Sequence, residues 1–236
     1  MTINLIASSF NNDIHWFESM SCIDNIYLYE KSDNNIPPSN LDLIFKKIIN
    51  IGCEHQSYIQ HIVDNYDNLA DINIFTQADP FPHIAISKES FVNIVKNKKY
   101  YKFDSGYIDI TGGFTTSDLR GRSSVKEQFN LDCKSFGDKI GISLPTPFLY
   151  QTNGIFGATK NCIHHIPKNV WQYINSLITD NSTHILPDNS KRYLFVCDNV
   201  YIMERMWFNL LNQNNTLPKI YKANNHIPPY GFNRII

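Results

Sequence analysis

The feature that most constrains the fold is a hydrophobic pattern that keeps changing period. From Glu54 to Tyr66 the residues Tyr58, His61, Ile62 and Tyr66 recur at three- and four-residue spacing, which places them on one face of a helix. Six residues later Ile72-Asn73-Ile74-Phe75-Thr76 has the β-branched and aromatic character of a strand, and Gln77-Ala78-Asp79-Pro80 stops it. The alternation extends along the chain. Strands are expected at Ile3 to Ser8, Asn25 to Tyr29, within Tyr100 to Ile110, at Phe148 to Thr159 around Gly154 and Gly157, and at Tyr193 to Cys197. Helical patterns begin at Ile14-His15-Trp16-Phe17, run from Lys88 to Lys96 behind a Ser87 cap, from Lys168 to Thr179 behind Pro167, and from Val200 to Leu211 behind Asp198 or Asn199. Strands separated by helices predict an α/β sandwich of three layers with a mostly parallel central sheet.

At 236 residues, 42% of them hydrophobic, the chain can bury a substantial core. Residues 1–211 read as one domain, and the Asn- and Pro-rich stretch 212–236 as an arm packed on it. Between Thr111 and Pro147 the sequence is rich in Gly, Ser, Thr and Asp with few clear periodicities, the composition of an inserted or mobile region. Twenty-one Lys plus Arg against 22 Asp plus Glu leave a formal charge of -1, which gives no electrostatic footprint for nucleic acid or an anionic membrane. No apolar run is long enough for a membrane span, and Met1 to Phe10 lacks a basic flank, so a soluble, unsecreted, cytoplasmic protein is expected. Cys22, Cys53, Cys133, Cys162 and Cys197 are odd in number and scattered, which argues against a disulfide framework or a zinc knuckle.

Ligands of open α/β sheets sit beyond the carboxyl ends of the strands, which directs attention to Ser8 to Asp13, Gln77 to His83 and the segment around Gly154. Asp79 and His83 fall just past the Ile72–Thr76 strand, and Asp79 could hold Mg or Mn, a hard cation that takes oxygen ligands. The structural reading is a turn carboxylate before Pro80 and a surface histidine. Glu54 follows Gly52 at a helix start, where the free N–H groups and the helix dipole stabilise a carboxylate. His61 shares the apolar face with Tyr58 and Ile62, the position of a buried, hydrogen-bonded histidine, and is kept as a second-tier binding candidate. Adjacent His164 and His165 point apart and do not form a chelating pair. Glu204 lies in the last helix beside Arg205, with Met203, Met206 and Trp207 in the apolar stripe; it is a general-base candidate as well as an ordinary helix carboxylate. The P-loop, dinucleotide, nucleophile-elbow and zincin fingerprints are all absent.

Several ordered blocks resemble one family. They are Leu5-Ile6-Ala7-Ser8-Ser9-Phe10-Asn11-Asn12-Asp13, Asn50-Ile51-Gly52-Cys53-Glu54-His55-Gln56-Ser57-Tyr58, Phe75-Thr76-Gln77-Ala78-Asp79-Pro80-Phe81, Gly154-Ile155-Phe156-Gly157-Ala158, Pro167 and Glu204-x-x-Trp207. Together they are similar to the domain of unknown function 3431 family, whose layout is in turn similar to GT-A glycosyltransferases. Two positions depart from the family pattern: Cys53 stands where an arginine is expected, and Ala78 where a glycine is expected.

The resemblance implies a nucleotide-sugar-dependent glycosyltransferase acting on a glycan or other hydroxyl acceptor. It places Ser8, Phe10 and Asn11 in the nucleotide loop, makes Gln77-x-Asp79 a degenerate metal motif for Mn or Mg, with His83 as a second ligand, and makes Glu204 the late acid. Glu54 and His61 count among the binding candidates. Gly154 and Phe156, with Trp16 or Trp207, would orient the sugar, since apolar sugar faces pack on aromatic rings. Two other classes stand beside it: a noncatalytic carbohydrate-binding protein, and a metal-dependent hydrolase with Asp79, His83 and His61 around an activated water. The sequence leaves donor, acceptor, stereochemistry and oligomeric state open.

Overall fold

A computed structural model describes residues 1–33, 41–84, 86–97, 106–111, 114–116, 132–144, 148–151, 153–179 and 198–212. The first strand, β1 (Ile3–Ser9), is buried along its whole length. It is flanked in parallel by β2 (Asn25–Glu30) and β4 (Ile72–Gln77), and β3 (Ile44–Lys47) adds in parallel outside β2. On the other side of β4, β8 (Phe156–Thr159) pairs antiparallel, and β5 (Tyr107–Asp109) pairs antiparallel to β8. The six-stranded order is therefore β3-β2-β1-β4-β8-β5. The sheet is mixed, with three parallel and two antiparallel pairings, where the sequence suggested a mostly parallel one.

The departure has a local cause. Phe148 to Thr159 reads as one strand but holds two: β7 (Leu149–Gln151) and β8, separated by Asn153 and Gly154 at φ 87° and 57°. Consecutive left-handed residues turn the chain sharply. As a result β7 pairs with β6 (Phe114–Thr116) in a second, two-stranded sheet while β8 enters the main sheet against the direction of β4.

Helices cover both faces. One face carries α1 (Cys53–Asn65), α5 (Lys168–Thr179) and α6 (Asp198–Leu211); the other carries α2 (Lys88–Lys96) and the 3-10 turn His15–Ser19. Strand alternation feeds both layers: Ile6 and Phe75 point to the α1 side, Leu5, Ala7, Ile72 and Ile74 to the α2 side. Ser87 caps α2 as its sequence predicts, accepting from the Ser90 N–H. The helix α3 over 132–139 lies in the stretch that showed few periodicities, yet Cys133, Phe136 and Ile140 reach the core at helical spacing. A short α4 (Lys160–His164) follows β8. The strand expected at Tyr193 to Cys197 and the arm beyond Asn212 lie outside the described residues. Among the described residues no two cysteines form a disulfide, and no helix is long and apolar enough to cross a membrane.

Candidate functional site

Parallel register brings three strand ends to one place. Ser8 sits beside Gln77 of β4 and Tyr29 of β2, and Ser9 beside Glu30, so the residues after these strands share one edge of the sheet. A cleft of about 310 Å³ opens there, lined by Ser8, Ser9, Phe10, Lys31, Glu54, Gln77, Asp79 and His83 with Asn12, Asn50 and Cys53. This is the carboxyl edge at which open α/β sheets bind ligands. A second cavity, about 280 Å³, lies between the end of α3 and the start of α5, with His165 and Asn209 in its wall; among the described residues no carboxylate or ammonium lines it.

Each wall of the cleft is fixed differently. The loop after β1 is tied to Glu30: Ser9 Oγ donates to one carboxylate oxygen at 2.7 Å, and the Asn11 and Ser32 N–H groups donate to the other at 3.0 and 2.7 Å. Burial pushes the Glu30 carboxyl up, but the bonds from Ser32, Ser9 and Asn11 outweigh it and hold the group below its ordinary value. Asn11, held at φ 56°, thus gives its N–H to the scaffold, and Phe10 is left projecting, 58% exposed, at the rim. After β4, the Ala78 N–H donates to the Ser8 carbonyl and the Ala78 carbonyl accepts from Trp16 Nε1, both at 2.7 Å, which fixes the loop carrying half-buried Asp79 and exposed His83. Trp16 itself is buried, 4% exposed, on the α2 face.

The third wall is the start of α1. Gly52 and Cys53 both take left-handed φ, 67° and 47°, and no side chain caps the helix. Glu54 accepts from Gln77 Nε2 at 3.0 Å. Burial alone would raise its carboxyl; its own N–H, the Gln77 amide and the Lys31 ammonium are among the groups that lower it more, so Glu54 is ionised. His55 is neutral, its pKa lowered chiefly by burial; Trp207 Nε1 donates to its Nδ1 at 3.1 Å, so the ring carries its proton on Nε2, 4.0 Å from Glu54. Gly154 completes this corner. A Cβ there would lie 3.0 Å from His55 Cε1 and 3.4 Å from Glu54 Oε1, so the backbone turn can approach the carboxylate only because the side chain is missing. Tyr58 Oη and Gln77 Oε1 are buried nearby without a hydrogen-bond partner among the described residues.

The sequence candidates divide. Ser8, Phe10, Glu54, Gln77, Asp79 and His83 line one cleft, and Gly154 backs it. Glu204 lies one step out, accepting from the Asn153 N–H at 3.3 Å with Arg205 at 3.6 Å. Phe156 and Trp207 are in the core, 1% exposed, where Trp207 stacks over Phe75 and Trp171. His61 is buried on the inner face of α1 against Tyr29 and Asn65, its pKa brought down to about 3 by burial and, secondarily, by Lys46. Lys31 is the cleft residue that the sequence reading does not name, although it directly follows a strand end and the carboxyl-edge rule points there.

The model of a family described as a protein of unknown function, DUF3431, matches residues 5–223. The chain belongs to the DUF3431 family. No curated protein and no solved structure matches the chain. The matched span of this DUF3431 chain includes every residue of the cleft.

Proposed function

We propose that the protein is a nucleotide-sugar-dependent glycosyltransferase, assisted by a divalent cation. The observation that carries the reading is the convergence, at one carboxyl edge, of the loop after the first strand and the Gln77-x-Asp79 segment after a middle strand. A nucleotide donor needs an aromatic or apolar rest for its base and cationic or metal partners for its phosphates. Phe10 offers the first at the rim, and Lys31 and Asp79 surround the second. The layout of first strand, nucleotide loop and middle-strand acid is similar to that of GT-A enzymes.

The residues present fit a hard divalent cation. Among the described residues, Glu54 and Asp79 set two carboxylates against the ammonium of Lys31 in the cleft, a local excess of negative oxygen. Among the described residues no group of three His, Cys, Asp or Glu is poised to hold a metal. Mg or Mn in transferases is commonly held by one or two carboxylates, with substrate phosphate oxygens completing the shell. Asp79 would be the carboxylate ligand, with His83 beside it, and the ion would neutralise charge on the departing diphosphate. Glu54, held ionised by Gln77 and its own N–H, fixes the floor. Glu204, across the Asn153–Gly154 turn from Glu54, is the candidate to take a proton from an acceptor hydroxyl, its carboxylate steadied by the Asn153 N–H.

The hydrolase alternative needs His61 beside Asp79 and His83, and His61 is turned into the core on Tyr29 instead. Noncatalytic carbohydrate binding uses the same cleft without turnover. A thermal-shift panel of nucleoside diphosphates and nucleotide sugars, with and without Mn, on the wild type and Asp79→Ala, tests the proposal. A ligand at a hundredfold its Kd adds about 2.7 kcal/mol. The expected result is a Mn-dependent shift with one nucleotide class that Asp79→Ala loses, accompanied by donor turnover. Stabilisation by free glycans alone would sink the transferase.

A further inference from the structure

We infer that the cleft contains an anion subsite for a phosphate group, with Lys31 as its cation. It rests on the same cleft as the transferase reading and gives the phosphate end of that donor a protein partner, but it does not require that any sugar be transferred.

Lys31 is the first residue beyond β2, is only 6% exposed, and lines the cleft. Its ammonium donates to the carbonyl oxygens of Ile51 and Cys53. An ammonium has three donors, so one is left. Among the described residues no carboxylate comes within ion-pair distance of it. The adjacent buried Glu30 is committed to Ser9, Asn11 and Ser32. Glu54 acts on Lys31 only at longer range, with one oxygen held by Gln77. A buried ammonium served only by neutral carbonyls lacks the counter-charge that normally justifies its burial. Burial accordingly draws its pKa down to about 8, with Cys53 and Glu54 offsetting only part of the loss.

The chain also accepts strain to build this arrangement. Ile51 and Cys53 can both aim carbonyls at one ammonium because Gly52 and Cys53 are consecutive left-handed residues, the second without the freedom of glycine. The same distortion starts α1, a 13-residue helix whose first residues, Cys53 and Glu54, line the cleft beside Lys31, with the Glu54 carboxylate already on its own N–H. Bonding of backbone carbonyls by an ammonium is an ordinary structural role, and the cavity beside it is what sets Lys31 apart. Lys31 is held at the wall of an open cavity large enough for a diphosphate, with a donor to spare.

The test is calorimetric titration of inorganic pyrophosphate, without metal, into the wild type and Lys31→Met, which keeps the buried stem and removes the charge. The expected result is binding weakened at least tenfold in the variant. Equal binding overturns the proposal. Should Lys31→Met fail to fold, the wild type decides: an amine-acylating reagent read by peptide mass should modify Lys31 more slowly with pyrophosphate present, while Lys168 on the surface is unaffected, and no protection overturns the proposal. Nucleoside, nucleoside diphosphate and nucleotide sugar in the same titration separate the two readings. A nucleotide sugar bound equally well by Lys31→Met leaves the transferase standing and removes the anion site. Lys31-dependent pyrophosphate binding with no affinity for any nucleotide does the reverse.

Discussion

The two ends of helix α1 were built from similar residue types and put to opposite uses. At its start, Glu54 and His55 stand by a distorted, uncapped turn facing a cleft, with a buried lysine and two polar atoms that have no partner among the described residues. Two turns on, His61 lies among Tyr27, Tyr29 and Phe75, takes the Tyr29 hydroxyl and is held neutral. The difference teaches that a polar side chain in this fold reaches the cleft or the core by where it lies relative to the strand ends, not by its chemistry. His61 lies eight residues beyond Cys53, the first residue of α1, inside a layer of rings, and the low dielectric there favours its uncharged form.

The same contrast can be broken at several strengths. The largest effect is expected at the core end. Trp207→Ala removes a side chain packed on Phe75, Phe156 and Trp171 and should cost about 3–5 kcal/mol in urea unfolding. If instead stability holds and only sugar binding weakens, Trp207 belongs to the site and the division between the two ends is wrong.

A middle-sized effect is expected at the cleft's scaffold. Glu30→Gln keeps the shape but weakens the charge-assisted bonds to Ser9, Asn11 and Ser32, at a cost of about 1.5–3 kcal/mol at neutral pH. The Glu30 carboxyl is lowered in the fold, so its contribution is fully present above the unfolded value near 4.5 and is lost as pH falls through the folded one. The variant should therefore lose part of the acid limb of the wild-type stability curve. An unchanged acid limb would show that this carboxylate does not hold the β1 loop.

The smallest effect at neutral pH is expected for His61→Gln, about 1 kcal/mol for an exchanged hydrogen bond. Its signature lies in the pH profile. The folded value is about 3 against 6.5 unfolded, so below pH 6.5 the unfolded chain takes a proton that the fold refuses, and stability falls toward pH 3. His61→Gln should flatten that slope in chemical denaturation followed from pH 7 to 4. A slope as steep as the wild type's would place the acid sensitivity elsewhere, with His55 the next group to examine.

Much of the layering was legible. The pattern at Ile72–Thr76 and the helix spacing from Glu54 gave β4 and α1 within a residue or two, because both are buried elements whose period is imposed by one apolar face. The short strand β3 was not, since four residues with an exposed Ile44 carry too little alternation to be distinguished. Phe148 to Thr159 was read as continuous because Asn153 and Gly154 interrupt it only through left-handed backbone angles. Helix α3 could have been found from Cys133, Phe136 and Ile140, which keep helical spacing amid polar neighbours.

By itself the sequence determined the alternation of strands and helices, the membership of a family over most of the chain, and the location of polar residues just past two strands, because these follow from local periodicity and short ordered motifs. Only the tertiary structure decided which of those residues meet. Parallel register carried Ser8, Gln77 and Glu30 to one edge, the turn at Gly52 and Cys53 aimed two carbonyls at Lys31, and side-chain packing turned His61, Phe156 and Trp207 inward. Those outcomes depend on contacts between segments 20 to 152 residues apart, and no local pattern encodes the distance across which a charge is buried or a ring is stacked.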